Sequence, residues 1–158
     1  MMKTIELPME DLAGIISLQM EHGGSTAIKV KGSSMMPMLH HRISTVRLMA
    51  PEKLPKKGDV ILYRRENGRY VLHRIVAVKS TEGFLCCGDN CRETEIVLPE
   101  QILGVVCAFT RKGSEHTVEE LPYRCYTWLM VHSMPVRGML IKLRRMAGRC
   151  LHRNRRGK

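Results

Sequence analysis

The chain has 158 residues, enough to bury one core and too few for a second independent unit. Aromatics make up only 4% while methionines number 12, so part of that core must come from flexible, polarisable side chains rather than rings. The formal charge of +11 is unevenly spread, with nine Lys and Arg and no acid over residues 137–158, and no stretch approaches the ~20 apolar residues that crossing a bilayer requires.

Residues 8–22 show a helix-like pattern with Pro8 near the start, Glu10 and Asp11 in the first turn and Gly23-Gly24 as a stop, which predicts a short helical lid on the domain. Strands are expected at 27–31, 44–48, 59–64, 70–79, 84–87 and 103–110, several of them alternating and rich in Val and Ile, with Pro, Gly and Asn turns between them. The fold class is therefore mainly β. Between two of these runs, Arg65-Glu66-Asn67-Gly68 reads as a hairpin turn in which Asn67-Gly68 supplies the positive φ angles. Farther on, Met139, Leu140, Leu143, Met146, Ala147, Cys150 and Leu151 recur at spacings of three and four, with Lys142, Arg144, Arg145, Arg149 and Arg153 on the remaining surface. This pattern predicts a basic amphipathic C-terminal helix. The chain thus divides into an N-terminal helix over 1–25, a β domain over 26–112 and a helical basic tail over 113–158.

Two places carry chemistry. Gly32-Ser33-Ser34-Met35-Met36-Pro37 combines turn-forming residues with an exposed hydroxyl at Ser34. A serine hydroxyl is a weak nucleophile at neutral pH and needs a neighbouring base. Tyr70-Val71-Leu72-His73-Arg74-Ile75 offers one, since imidazole can take the hydroxyl proton and return it to a leaving amine. The hairpin at 65–68 would deliver His73 beside the Ser34 loop. Met35, Met36 and Met38 flank the serine, either as an apolar floor for substrate or as packing that holds the loop on the core. His40 and His41 read as exposed loop residues, because six or seven residues of irregular chain give them no reason to face Ser34.

Five blocks follow in order: the Ser34 loop, Lys57-Gly58-Asp59-Val60-Ile61-Leu62-Tyr63-Arg64, the His73 strand, Gly88-Asp89-Asn90 and Leu103-Gly104-Val105-Val106. Together they resemble the type I signal peptidase family and its relatives, the LexA-like self-cleaving repressors, over residues 27–111. The resemblance implies a signal-peptidase-like coiled β domain with serine endopeptidase activity, Ser34 as nucleophile and His73 as general base. A histidine at this place is similar to the archaeal and endoplasmic-reticulum type, where bacterial signal peptidases and LexA-like proteins carry lysine. An acid that orients His73 is also implied. Asp89 is the first choice, with Glu95 or Glu93 as replacements where the histidine-type enzymes have an aspartate. Signal peptidases tend to carry a serine two positions before the nucleophile, but here that position is Gly32, as in LexA-like proteins. The oxyanion hole then falls to backbone N–H groups of the Gly32-Ser33-Ser34 turn, Ser34 first.

No cofactor and no metal are expected, because Cys86, Cys87 and Cys91 lack a second Cys or His pair at structural zinc spacing. The expected partner is a peptide or protein substrate, such as a signal or leader peptide, and the basic C-terminal helix suits an anionic membrane surface. The first thirty residues lack the apolar core of a secretion signal and the six cysteines show no disulfide-like framework. A cytoplasmic location follows, peripheral on the inner face of the membrane and without a transmembrane span. Two other readings use the same residues differently, namely an idle peptidase-fold scaffold that holds a peptide, and a nucleic-acid binder drawn by the basic tail. Retention of both Ser34 and His73 argues against the first. The tail's lack of interleaved aromatics, and the absence of room for a DNA-reading module before the serine loop, argue against the second.

Overall fold

The computed structural model describes residues 24–79, 82–134 and 136. The helix expected over 8–22 and the amphipathic helix expected from Met139 onward lie outside the described residues. Within them the chain forms β1 (Ser25–Lys29), β2 (Thr45–Met49), β3 (Val60–Arg64), β4 (Tyr70–Lys79), β5 (Gly83–Cys87), β6 (Glu95–Val97), β7 (Ile102–Arg111), β8 (Ser114–Thr117) and α1 (Leu121–His132). All eight strands join one antiparallel sheet in the order β1-β2-β7-β3-β4-β5-β6, with β8 folded back on β7. The fold is mainly β, as the Val- and Ile-rich alternation leads one to expect. Among the described residues no helix is long and apolar enough to cross a membrane.

The β3–β4 hairpin sets the register on which the site depends. Arg65 N–H donates to Arg69 O at 2.9 Å and Gly68 N–H to Arg65 O at 2.9 Å. Of the Asn67-Gly68 pair, only Gly68 takes a positive φ, +79°, while the Asn67 side-chain oxygen accepts from Arg69 N–H at 3.1 Å. This five-residue connection needs one left-handed residue where the sequence reading expected two. Pairing then runs from Arg64 opposite Tyr70 to Ile61 opposite His73 and Val60 opposite Arg74. Paired residues share a face. His73 therefore stands with Ile61, Tyr63 and Ile75, and Arg74 with Val60 and Leu62 on the other side.

Each face carries its own core. On the His73 side Ile61, Tyr63, Ile75, Phe84, Cys86 and Val97 pack together. On the Arg74 side Val46, Leu48, Val60, Leu62, Val106 and Phe109 are covered by Met35, Met38 and Leu39 from the β1–β2 connection and by Tyr123 of α1. Met35 and Met38 are 1% and 3% exposed, so these two pack the serine loop onto the core, whereas Met36 is half-buried. Burying a side chain of this size contributes ~1.5–3 kcal/mol. The loop is also closed at its neck, where Val30 N–H donates to Ser44 O at 2.9 Å and Arg42 N–H to Val30 O at 2.8 Å.

The sheet extends past both segment boundaries drawn from the sequence: β1 begins at Ser25, and β8 lies beyond residue 112 yet pairs with β7. Ser-Glu-His-Thr in β8 has no apolar alternation, and β6 is only three residues long. Both form because a neighbouring strand offers its free edge.

Candidate active site

Ser34 is half-buried in the turn after β1, and His73 on β4 is 7% exposed. Gly88, in the loop after β5, marks where they meet. A Cβ there would lie 2.7 Å from the Ser34 carbonyl oxygen, 3.0 Å from His73 Nε2 and 2.9 Å from Cys91 Sγ. Only a residue without a side chain lets the three approach one point. The loop is then bonded to the serine turn, with Asn90 N–H donating to Ser34 O at 2.7 Å and Asn90 Nδ2 to Ser33 O at 3.3 Å. Within the turn itself Met36 N–H donates to Ser33 O at 3.2 Å.

Gly32 holds a φ of +96° and donates its N–H to His41 Nδ1 at 2.8 Å. His41 is exposed, as expected of a loop residue, yet it does face back to the serine turn. The reason is that the connection closes on itself at the Val30–Ser44 neck, which brings residues nine apart into contact. His40 is half-buried rather than exposed, and its N–H donates to Ser44 Oγ at 3.1 Å.

The second nitrogen of His73 fixes the state of the first. Nδ1 lies 3.1 Å from the Tyr63 hydroxyl oxygen and 3.2 Å from Glu95 Oε1. Tyr63 donates its single hydroxyl proton to Glu95 Oε1, so toward His73 it can only accept. Facing two acceptors, Nδ1 must carry the proton of the neutral ring. The lone pair is left at Nε2, on the side of Gly88 and Ser34. Glu95 is gripped in turn by Arg65, with Nε at 2.7 Å from Oε2 and Nη2 at 2.6 Å from Oε1.

The electrostatics agree with that proton inventory. Burial lowers the His73 pKa below the ordinary imidazole value, with the Glu95 carboxylate pulling the other way. Burial would raise Glu95, but hydrogen bonds from Arg65 and Tyr63 outweigh it and hold the carboxyl below its usual range. Burial, then the bond to Glu95, raises Tyr63 far above a free phenol, so it keeps its proton. At neutral pH the arrangement is a neutral imidazole beside a carboxylate.

Asp89, the first-choice acid, points elsewhere. Its Oδ1 and Oδ2 accept from Arg74 Nε and Nη2, each at 2.8 Å, and Tyr126 donates to Oδ2 at 3.0 Å. The carboxylate in contact with His73 is that of Glu95, and Glu93 is exposed ahead of β6. The physical reason is Arg74, which follows His73 on β4 and so faces the opposite side, where it is 0% exposed. A guanidinium buried so completely requires a charge partner. Asp89 supplies it, while Gly58 O, Thr127 Oγ1 and the Tyr123 hydroxyl take the remaining donors at 2.9, 2.9 and 3.3 Å.

Sequence reasoning missed Tyr63, Arg65, Arg74 and His41. Tyr63 had a usable signal, because a turn at 65–69 places Ile61 opposite His73 and Tyr63 two residues along on the same face. Arg74 had none, since an arginine in an alternating strand ordinarily faces solvent. In chemical terms the site offers a serine turn, a buried base with its free nitrogen toward that turn, and an anion behind the base. No family model matches the chain, and no curated protein does.

Proposed function

We propose that the protein is a serine endopeptidase of the signal-peptidase-like type, with Ser34 as nucleophile, His73 as general base and Glu95 as the acid that orients it. The observation that carries this reading is the Gly88 position, which lies 3.0 Å from His73 Nε2 and 2.7 Å from the Ser34 carbonyl oxygen. Ser34 Oγ adds to a peptide carbonyl while its proton passes to Nε2, and Nδ1–H, held between Glu95 and Tyr63, keeps the imidazolium paired. The oxyanion is met by the Ser34 N–H, which donates to no described residue, whereas the Gly32 N–H is already given to His41. Collapse breaks the C–N bond as Nε2 returns the proton to the leaving amine. Water deprotonated at the same nitrogen then cleaves the acyl-enzyme and restores Ser34. Substrates are signal or leader peptides, and the basic run over 137–158 would bring the chain to the anionic membrane surface where such peptides lie.

Mass spectrometry of a diverse peptide library, incubated with the parent, Ser34→Ala and His73→Ala in the presence of anionic vesicles, tests the reading. Cleavage by the parent that disappears in both variants is the expected result. Cleavage by Ser34→Ala at the parent rate would remove Ser34 from the mechanism, and a parent that cuts nothing would favour the idle scaffold.

A further inference from the structure

A cavity of about 480 Å³ opens between α1 and the segment leading into β3, on the Arg74 side of the sheet. That volume lies within the ordinary range of small-molecule sites. Its apolar lining is Val118 and the exposed Trp128, with the nearly buried Val60, Val106 and Val131 as the floor. Several polar groups that line it are engaged within the protein: Gly58 O, the Tyr123 hydroxyl and Thr127 Oγ1 all accept from Arg74 Nη1, and Asp59 Oδ2 accepts from Lys56 N–H at 2.9 Å. Three exposed cations, Lys56, Lys57 and Arg124, also line it and form no ion pair among the described residues, while Glu119 is the exposed acid beside them.

A peptide reaching the inner part of this cavity would bury backbone groups against the valines and against Gly58, Tyr123 and Thr127, whose oxygens already serve Arg74, at a cost for each. An acyl chain has no such groups to satisfy, and an anionic head would meet cations that form no ion pair among the described residues. We infer that the cavity binds a single-chain amphiphile with an anionic head, its chain against the four valines and its head among Lys56, Lys57 and Arg124. The inference is independent of the peptidase reading, because it uses the face of the sheet opposite His73.

Trp128 is the one tryptophan of the chain and lines the cavity, so its fluorescence reports occupancy. Dodecyl phosphate, titrated below its micelle concentration, should give a saturable one-to-one change in that fluorescence and a higher Tm. Inorganic phosphate should give neither. The exposed triple substitution Lys56→Glu, Lys57→Glu, Arg124→Glu should keep the parent Tm and weaken binding about tenfold or more, while Ser34→Ala should bind as the parent does even if it cleaves nothing. Equal binding of neutral dodecyl maltoside, or equal binding by the triple variant, would overturn the inference. So would the absence of a saturable response in both fluorescence and Tm. A response to anionic vesicles alone would instead assign Trp128 and its exposed neighbours Leu121 and Leu129 to a membrane surface.

Discussion

A general base at neutral pH has to arrive unprotonated and still hold the proton it takes. In the proposed reaction, burial would meet the first demand at His73 and Glu95 the second. Glu95→Gln keeps the shape and removes the anion, so kcat/KM for peptide cleavage should fall ~10²–10⁴-fold, with far-UV circular dichroism unchanged. Arg65 acts through Glu95, and its own charge also opposes the imidazolium. Arg65→Gln removes that cation and leaves Glu95 less neutralised, which makes His73 easier to protonate. Because only the neutral ring can act as base, the acid limb of the kcat/KM profile should move to higher pH. A limb that stays or moves lower would contradict the assigned couplings. Residue chemistry in the sequence pointed to Ser34 and His73, which the fold brings close at Gly88, but it did not show that Glu95 rather than Asp89 would lie against His73. Both follow Gly88 within a few residues, and what separates them is which face of β4 each carboxylate reaches.

At the level of elements, one buried pair holds five pieces of chain together. Arg74 on β4 bonds Asp89 in the loop after β5, Gly58 ahead of β3 and Thr127 on α1, with Met38 Sδ of the serine loop 3.8 Å from Nη2. Arg74→Met strands Asp89 without its cation and should lower the urea midpoint of the circular dichroism transition. The double change Arg74→Met, Asp89→Leu should cost less than the single one, since it leaves no unpaired buried charge. A double variant less stable than Arg74→Met would show that the pair itself, and not its disruption, sets the stability. Gly88→Ala addresses the same loop from the other side. A Cβ at 2.7 Å from Ser34 O and 3.0 Å from His73 Nε2 must displace at least one of the groups that meet there. Peptide turnover should fall ~10²-fold or more, and a variant that cleaves as the parent does would separate Gly88 from the site. The strands that could be read in the sequence were those rich in Val and Ile, such as β3, β4 and β7. β6 and β8 could not, because a three-residue run and a polar one form only when β5 and β7 supply the pairing.

For the molecule as a whole, the described sheet carries a core on each face. β3 contributes Val60 and Leu62 to one core and Ile61 and Tyr63 to the other, so neither core can open without exposing the second. Unfolding should therefore be two-state, with coincident transitions by different probes. Trp128 fluorescence and far-UV circular dichroism make the comparison informative, because the first reports α1 and the second mostly the strands. α1 is held by Tyr123, Tyr126 and Thr127 against Arg74 and Asp89, with Tyr123 and Val131 buried and Leu121, Trp128 and Leu129 left exposed. Its attachment thus runs largely through the buried ion pair. In the parent the two urea transitions should superimpose. In Arg74→Met the fluorescence transition should come at lower urea than the circular dichroism transition, as α1 leaves a sheet that still stands. Coincident transitions in that variant would mean that the packing of Tyr123 and Val131 alone keeps α1 within the cooperative unit, and the ion pair would then matter for the loop beside His73 rather than for the helix.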